Sequence, residues 1–97
     1  MTKIRWTPQA INDLDNILDY ISDANMSPNV AIKIHREMKD RIHLIAMKNE
    51  AGHHHHLTSD SWRYILFKRW LVFFRRYSWG IEIQRVIDAS RDLPKHL

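Results

Sequence analysis

Four arginines late in the chain, Arg63, Arg75, Arg85 and Arg91, are the residues best suited to chemistry on an anion. A guanidinium is planar, always charged, and offers a fork of N–H donors that fits a carboxylate or a phosphate. Such groups would stabilise the phosphorane formed when an RNA 2′-hydroxyl attacks its neighbouring phosphate. That reaction also needs a base for the hydroxyl and an acid for the leaving oxygen, and arginine is poor at both tasks. No obvious acid lies near Arg91, the next histidine being His96. The run His53-His54-His55-His56 invites a metal, and alternate side chains of an extended segment would chelate. No carboxylate or cysteine partner is expected beside them, and imidazoles alone make an adventitious Zn, Ni or Cu site. Neither a metal nor a cofactor is therefore expected. Below about pH 6.5 the histidine loop gains positive charge. Cysteine is absent, which excludes a thiolate nucleophile, a disulfide framework and a Cys-based zinc site.

The charge balance points to an anionic partner. The 97 residues carry 15 Lys+Arg against 11 Asp+Glu, a formal net charge of +4. The excess is polarised. Residues 1–30 set Lys3 and Arg5 against Asp13, Asp15, Asp19 and Asp23, whereas residues 62–97 set eight cations against Glu82, Asp88 and Asp92. No apolar run approaches the roughly 18 to 20 residues that span a bilayer, so no membrane association is expected. The N-terminus has no apolar stretch of the signal-peptide kind, and the cytoplasm is the expected compartment. At this length a single domain over residues 1–97 is expected.

These side chains need a scaffold, and the hydrophobic pattern supplies one. Lys3-Ile4-Arg5-Trp6 alternates with the two-residue period of a half-buried strand, placed at about residues 2–6. Thr7-Pro8 then reads as an N-cap followed by proline in the first turn. Leu14, Ile17, Leu18 and Ile21 form one helical stripe, with the acidic residues mostly off it, so a helix is predicted over about residues 8–22. Ser27-Pro28 repeats the start signal. Ala31, Ile34, Met38 and Ile45 carry a second stripe to about residue 48. The short connection makes the two helices antiparallel neighbours. Residues 49–61 read as a polar loop. Strands are predicted over about 62–67, 70–77 and 81–87, and a tail over 88–97. Short links between them require antiparallel pairing. The expected fold is therefore α+β: two helices on one face of a small antiparallel sheet.

Each candidate also has a purely structural reading. Arg85, mid-strand among apolar neighbours, suits an ion pair with Glu82 or an acidic residue of the first helix. Arg63 and Arg75 suit a solvated sheet face. Lys68 and Arg69 suit a turn. Trp62, Tyr64, Phe67, Trp70, Phe73 and Phe74 suit a core better than nucleobase stacking, although both sheet faces carry aromatics.

The order of elements, with certain residues, resembles the RelE/ParE superfamily, the toxin components of bacterial type II toxin–antitoxin pairs. The opening Ile4-Arg5-Trp6-Thr7-Pro8-Gln9-Ala10, with Asp13-Leu14 and Ile17, is similar to the ParE first strand and helix. Gly52-His53 and Leu57-Thr58 fall where many ParE-like toxins carry Gly-His and Asp-Leu-Thr. Arg63-Tyr64, then Leu71, Val72, Phe74 and Arg75, resemble the family's Arg-aromatic and Tyr-x-Ile-x-Tyr-Arg patterns. Ile81-Glu82-Ile83-Gln84-Arg85-Val86-Ile87 and Arg91-Asp92 resemble its closing pattern. Two departures stand out: the family's His-Gly-Ala is Asp88-Ala89-Ser90 here, and its strand tyrosine is Phe74.

The resemblance implies a ParE-like toxin that inhibits DNA gyrase by binding, with no catalytic set, and that forms a hetero-oligomer with a cognate antitoxin. Arg63, Arg75, Arg85 and Arg91 are the implied target- or antitoxin-binding residues, with the interface on the sheet edge, the two-helix hairpin and the C-terminal arginines. Two alternatives accompany it. One is a RelE-like ribosome-dependent mRNA endonuclease using Arg63, Arg75 and Arg91. The other is a non-toxic module that keeps only antitoxin binding.

Overall fold

Thr7 joins helix to sheet. In the computed structural model, which describes residues 2–25 and 27–90, its hydroxyl accepts from the Ala10 N–H (3.1 Å) and donates to the Gln84 carbonyl (2.9 Å). One side chain thus caps the first helix and ties its start to the last strand. Six elements follow in order: β1 (Lys3–Trp6), α1 (Pro8–Asn25), α2 (Pro28–Met47), β2 (Trp62–Phe67), β3 (Trp70–Tyr77) and β4 (Gly80–Asp88). Helix α1 runs three residues beyond the predicted end, because no proline or glycine interrupts the chain before Pro28. Pro28 opens α2 behind an extended Ser27, as predicted, but the Ser27 hydroxyl makes no capping bond.

The strands form one sheet in the order β1-β4-β3-β2. The three C-terminal strands pair antiparallel, as expected. The sheet as a whole is mixed, however, and not antiparallel throughout, because β1 lies parallel to β4. The physical reason is the long excursion between them. The helical hairpin and two strands intervene, which leaves enough chain for a crossover, and parallel strands need one. The closeness of β1 is set by Gly80, at φ +151. A Cβ there would come 1.9 Å from the Lys3 carbonyl oxygen, so only glycine fits.

The core lies between the helices and one sheet face. Leu14, Ile21, Met38, Ile42 and Ile45 from the hairpin meet Ile65, Trp70, Val72, Phe74, Ile81 and Ile83 from the sheet. The α2 end is closed by Arg76, whose guanidinium donates to the carbonyls of Glu50 (2.6 Å) and Ile45 (3.3 Å) and lies over the Phe74 ring. The opposite face carries a smaller cluster: Phe73 and Ile87, flanked by Trp62, Tyr64 and Leu71. Both faces thus carry aromatics, as the sequence suggests.

Candidate functional site

Strand alternation decides where the candidate arginines point. Arg63 pairs in register with Phe74, and Trp62 with Arg75. Directly paired residues share a face, so Arg63 emerges on the helix side of the sheet and Arg75 on the open side. Arg63 folds back on its own backbone and donates to the carbonyls of Asp60 and Trp62. Arg75 lies exposed with its guanidinium 5.0 Å from the centre of the Tyr77 ring. Arg91 lies outside the described residues.

Arg85 is held by α1. Its Nε and Nη2 donate to the two oxygens of Asp13 at 2.7 and 3.0 Å, and the Val86 N–H donates to the same carboxylate at 2.9 Å. The pairing of β3 with β4 shifts between Phe73 and Phe74, whose partners are Arg85 and Ile83. Such an irregularity re-aims side chains, and here the guanidinium reaches the helix. The hydrogen bonds that Arg85 donates to Asp13 raise its pKa further above its already high ordinary value. Of the two structural partners expected for Arg85, the acidic residue of the first helix is the one found. Glu82 instead accepts from Arg5 (2.8 Å) and Gln84 (2.9 Å). These two bonds, Gln84 first, hold its carboxyl below the usual range despite partial burial.

The histidine segment is a strap along the outer edge of the sheet. His53 and Tyr64 exchange both backbone hydrogen bonds, at 2.9 and 2.8 Å. Gly52, at φ +68, makes this approach possible: a Cβ would sit 2.9 Å from the Phe74 ring and 3.0 Å from the Tyr64 carbonyl. His55 turns inward and meets the edges of Tyr64 and Phe73 at centroid distances of 5.8 and 6.1 Å. Its pKa is lowered, first by burial and then by His56 and His54. One sequence expectation is corrected here. A carboxylate does stand beside the run: Asp60 lies 3.4 Å from His54 Nε2, brought back by the turn at His56-Leu57, where the Thr58 N–H donates to the His55 carbonyl. It makes a pair only, and among the described residues no three His, Asp or Glu side chains are grouped to hold a metal ion.

Two surfaces among the described residues matter for docking. A groove of about 890 Å³ runs between the helical hairpin and the end of the sheet, lined by Ile17, Tyr20, Ile21, Val30, Ile34 and Trp70 among others. Its polar margin is formed by the Arg85–Asp13 and Arg69–Asp88 ion pairs. The second is the sheet face away from the helices.

The model of the ParE toxin of the type II toxin–antitoxin system, parDE, matches residues 4–93. The chain belongs to this family. The fold of this ParE toxin is similar to that of a chain from the "Chromosomal ParDE TA system from P. aeruginosa", with TM-score 0.77, 21% identity, and coverage of 93% of this chain and 98% of that one. No curated protein matches the sequence. The two departures noted in the sequence have distinct structural settings in this ParE toxin. Asp88 is a turn hub: it takes Arg69 across the β3–β4 pair and both donors of Ser90. The Ser90 hydroxyl, foremost, lowers its pKa. Phe74 is fully buried on the helix side of the sheet, where a tyrosine hydroxyl would need a partner. Sequence reasoning did not single out Arg5, Arg76, Tyr77 or Trp79 as anchors. The signal that was available is the run of aromatics and arginines around the β3–β4 turn.

Proposed function

We propose that this ParE toxin inhibits DNA gyrase by binding, and that a cognate antitoxin neutralises it. The observation that carries this reading is the dispersal of the arginines. Arg63 and Arg75 leave opposite faces of the sheet, and Arg85 is committed to Asp13. RNA cleavage would need a guanidinium, a base and an acid converging on one phosphate. Glu82, the carboxylate nearest Arg75, is already ion-paired to Arg5 and has a lowered pKa, which makes it a weak base. A binder needs no such convergence.

The antitoxin's place is the groove between hairpin and sheet. Its apolar walls suit an amphipathic segment that folds on docking. The cations at its margin, Arg69 and Arg85, are already paired with Asp88 and Asp13, so apolar contact carries the docking. The cytoplasm, where gyrase and antitoxin are met, is the compartment this reading requires. No described helix is long and apolar enough to cross a membrane.

The test is a purified supercoiling assay. The protein should block gyrase on relaxed plasmid, and added antitoxin should restore supercoiling. Unimpaired supercoiling together with mRNA cut in translating extracts would replace this reading with the endonuclease. Normal growth on expression of the chain alone would replace it with the non-toxic module.

A further inference from the structure

The sheet face away from the helices carries an arrangement that neither the core nor the groove uses. Arg5, Trp79, Tyr77 and Arg75 form a four-membered stack. The Arg5 guanidinium lies 4.8 Å from the Trp79 ring centre. Trp79 and Tyr77 stack at 4.9 Å and 9°. Arg75 closes the other end, 5.0 Å from Tyr77. Beside it, Trp62, Tyr64 and Leu71 are half-buried around the fully buried Phe73 and form an apolar patch on the same face. Leu66, next along the edge strand, is 58% exposed.

We propose that this face is a second docking surface, which takes an acidic protein segment: a carboxylate on Arg75 and an adjacent apolar side chain on the patch of Trp62, Tyr64 and Leu66. Three observations select that occupant. The first is charge. Two guanidiniums, Arg5 and Arg75, face one carboxylate, Glu82, which Arg5 and Gln84 already hold. The face therefore attracts anions.

The second is the state of Arg75. Of the arginines on the four strands, Arg5, Arg63, Arg76 and Arg85 donate hydrogen bonds. Arg75 donates none among the described residues, and its guanidinium rests against the Tyr77 ring. Its N–H fork is thus left for a carboxylate, and the ring contact restricts the side chain, which lowers the ordering cost of binding.

The third excludes the obvious competitor. Aromatic–arginine surfaces bind single-stranded nucleic acid by stacking bases on open rings. Here Trp79 lies between Arg5 and Tyr77, and Tyr77 between Trp79 and Arg75, so neither ring offers a bare face. A base would have to displace a guanidinium. A carboxylate approaching in the guanidinium plane displaces nothing.

This surface lies across the sheet from the helical hairpin, and the proposal does not depend on the gyrase reading. The test is a titration of the full chain, followed by 15N-resolved NMR, with a pentapeptide alternating glutamate and phenylalanine. The expected result is saturable shifts at the Arg75 Nε–H and at the Trp62 and Trp79 indole N–H signals. Arg75→Glu should weaken binding at least tenfold, and Arg75→Lys should weaken it less. Matching backbone spectra show that each variant is folded, because Arg75 is exposed and outside both apolar clusters. Shifts confined to the helical hairpin, or equal binding by Arg75→Glu, would overturn the proposal. So would a thymidine decamer that saturates the same signals as tightly as the peptide.

Discussion

Replacing Asp13 by alanine removes three hydrogen bonds at once: two from the Arg85 guanidinium and one from the Val86 N–H. The Asp13 and Arg85 side chains are only 13% and 19% exposed, so solvent screens the pair weakly. Breaking a fully buried pair from one side costs about 3–5 kcal/mol, mostly through the charge left behind. Partial access of water at the groove margin reduces this, and about 2–4 kcal/mol is expected for Asp13→Ala. For a domain of this size each 1 kcal/mol moves the midpoint by about 4–8 °C, so Tm should fall by roughly 8–32 °C. Urea unfolding monitored by tryptophan fluorescence measures the change directly, with an unchanged m-value as the check on two-state behaviour. Arg85→Met alone should cost less, and the double variant should be more stable than the sum of the singles implies, with a coupling of about 1–3 kcal/mol. An Asp13→Ala cost below about 0.5 kcal/mol, or a coupling near zero, would refute the claim that this pair joins α1 to β4.

Three further predictions rest on other contacts. Gly80→Ala places a methyl group against the Lys3 backbone and should cost roughly 3 kcal/mol or more, with β1 amides losing hydrogen-exchange protection before the rest of the sheet. Arg76→Met keeps the contact with Phe74 but removes the donors to Ile45 and Glu50, and should cost about 1–2 kcal/mol in the same urea assay. Acidification should destabilise the fold in two stages. The His55 pKa is lowered on folding, so its contribution is present above its ordinary value of 6.5 and is lost as pH falls below it. Glu82 and Asp88 are also lowered, so their contributions are lost as pH falls from about 4.5 and 3.8 respectively through their folded values. A stability–pH curve flat between pH 7 and 3 would contradict both stages.

Local chemistry was legible in the sequence where a residue acts on its neighbours. Thr7-Pro8 and Ser27-Pro28 mark both helix starts, and the apolar stripes mark the faces that the core uses. The alternation in β2 and β3 predicts two sheet faces bearing aromatics. Long-range pairing was less legible. Nothing in Lys3–Trp6 says that it will lie parallel to β4, because that choice depends on the crossover and on Gly80 admitting the Lys3 backbone. Arg85 was readable as an ion-paired residue, but the choice of Asp13 over Glu82 depends on the register shift beside Phe73, a feature of the assembled sheet. Arg63 and Arg75 look equivalent by residue type. Their twelve-residue separation crosses a hairpin turn, which puts them on opposite faces. Asp60 approaches His54 only because the loop turns back at His56-Leu57.

The central claim is that this ParE toxin acts by binding gyrase and not by cutting RNA. The most direct measurement is the accumulation of gyrase-linked, double-strand-cut plasmid when purified protein, gyrase, relaxed DNA and ATP are combined. The account predicts cut DNA that increases with protein concentration and disappears when antitoxin is added first. Plasmid supercoiled at the normal rate at every protein concentration, with mRNA cut at the ribosome in a parallel translation reaction, would contradict it.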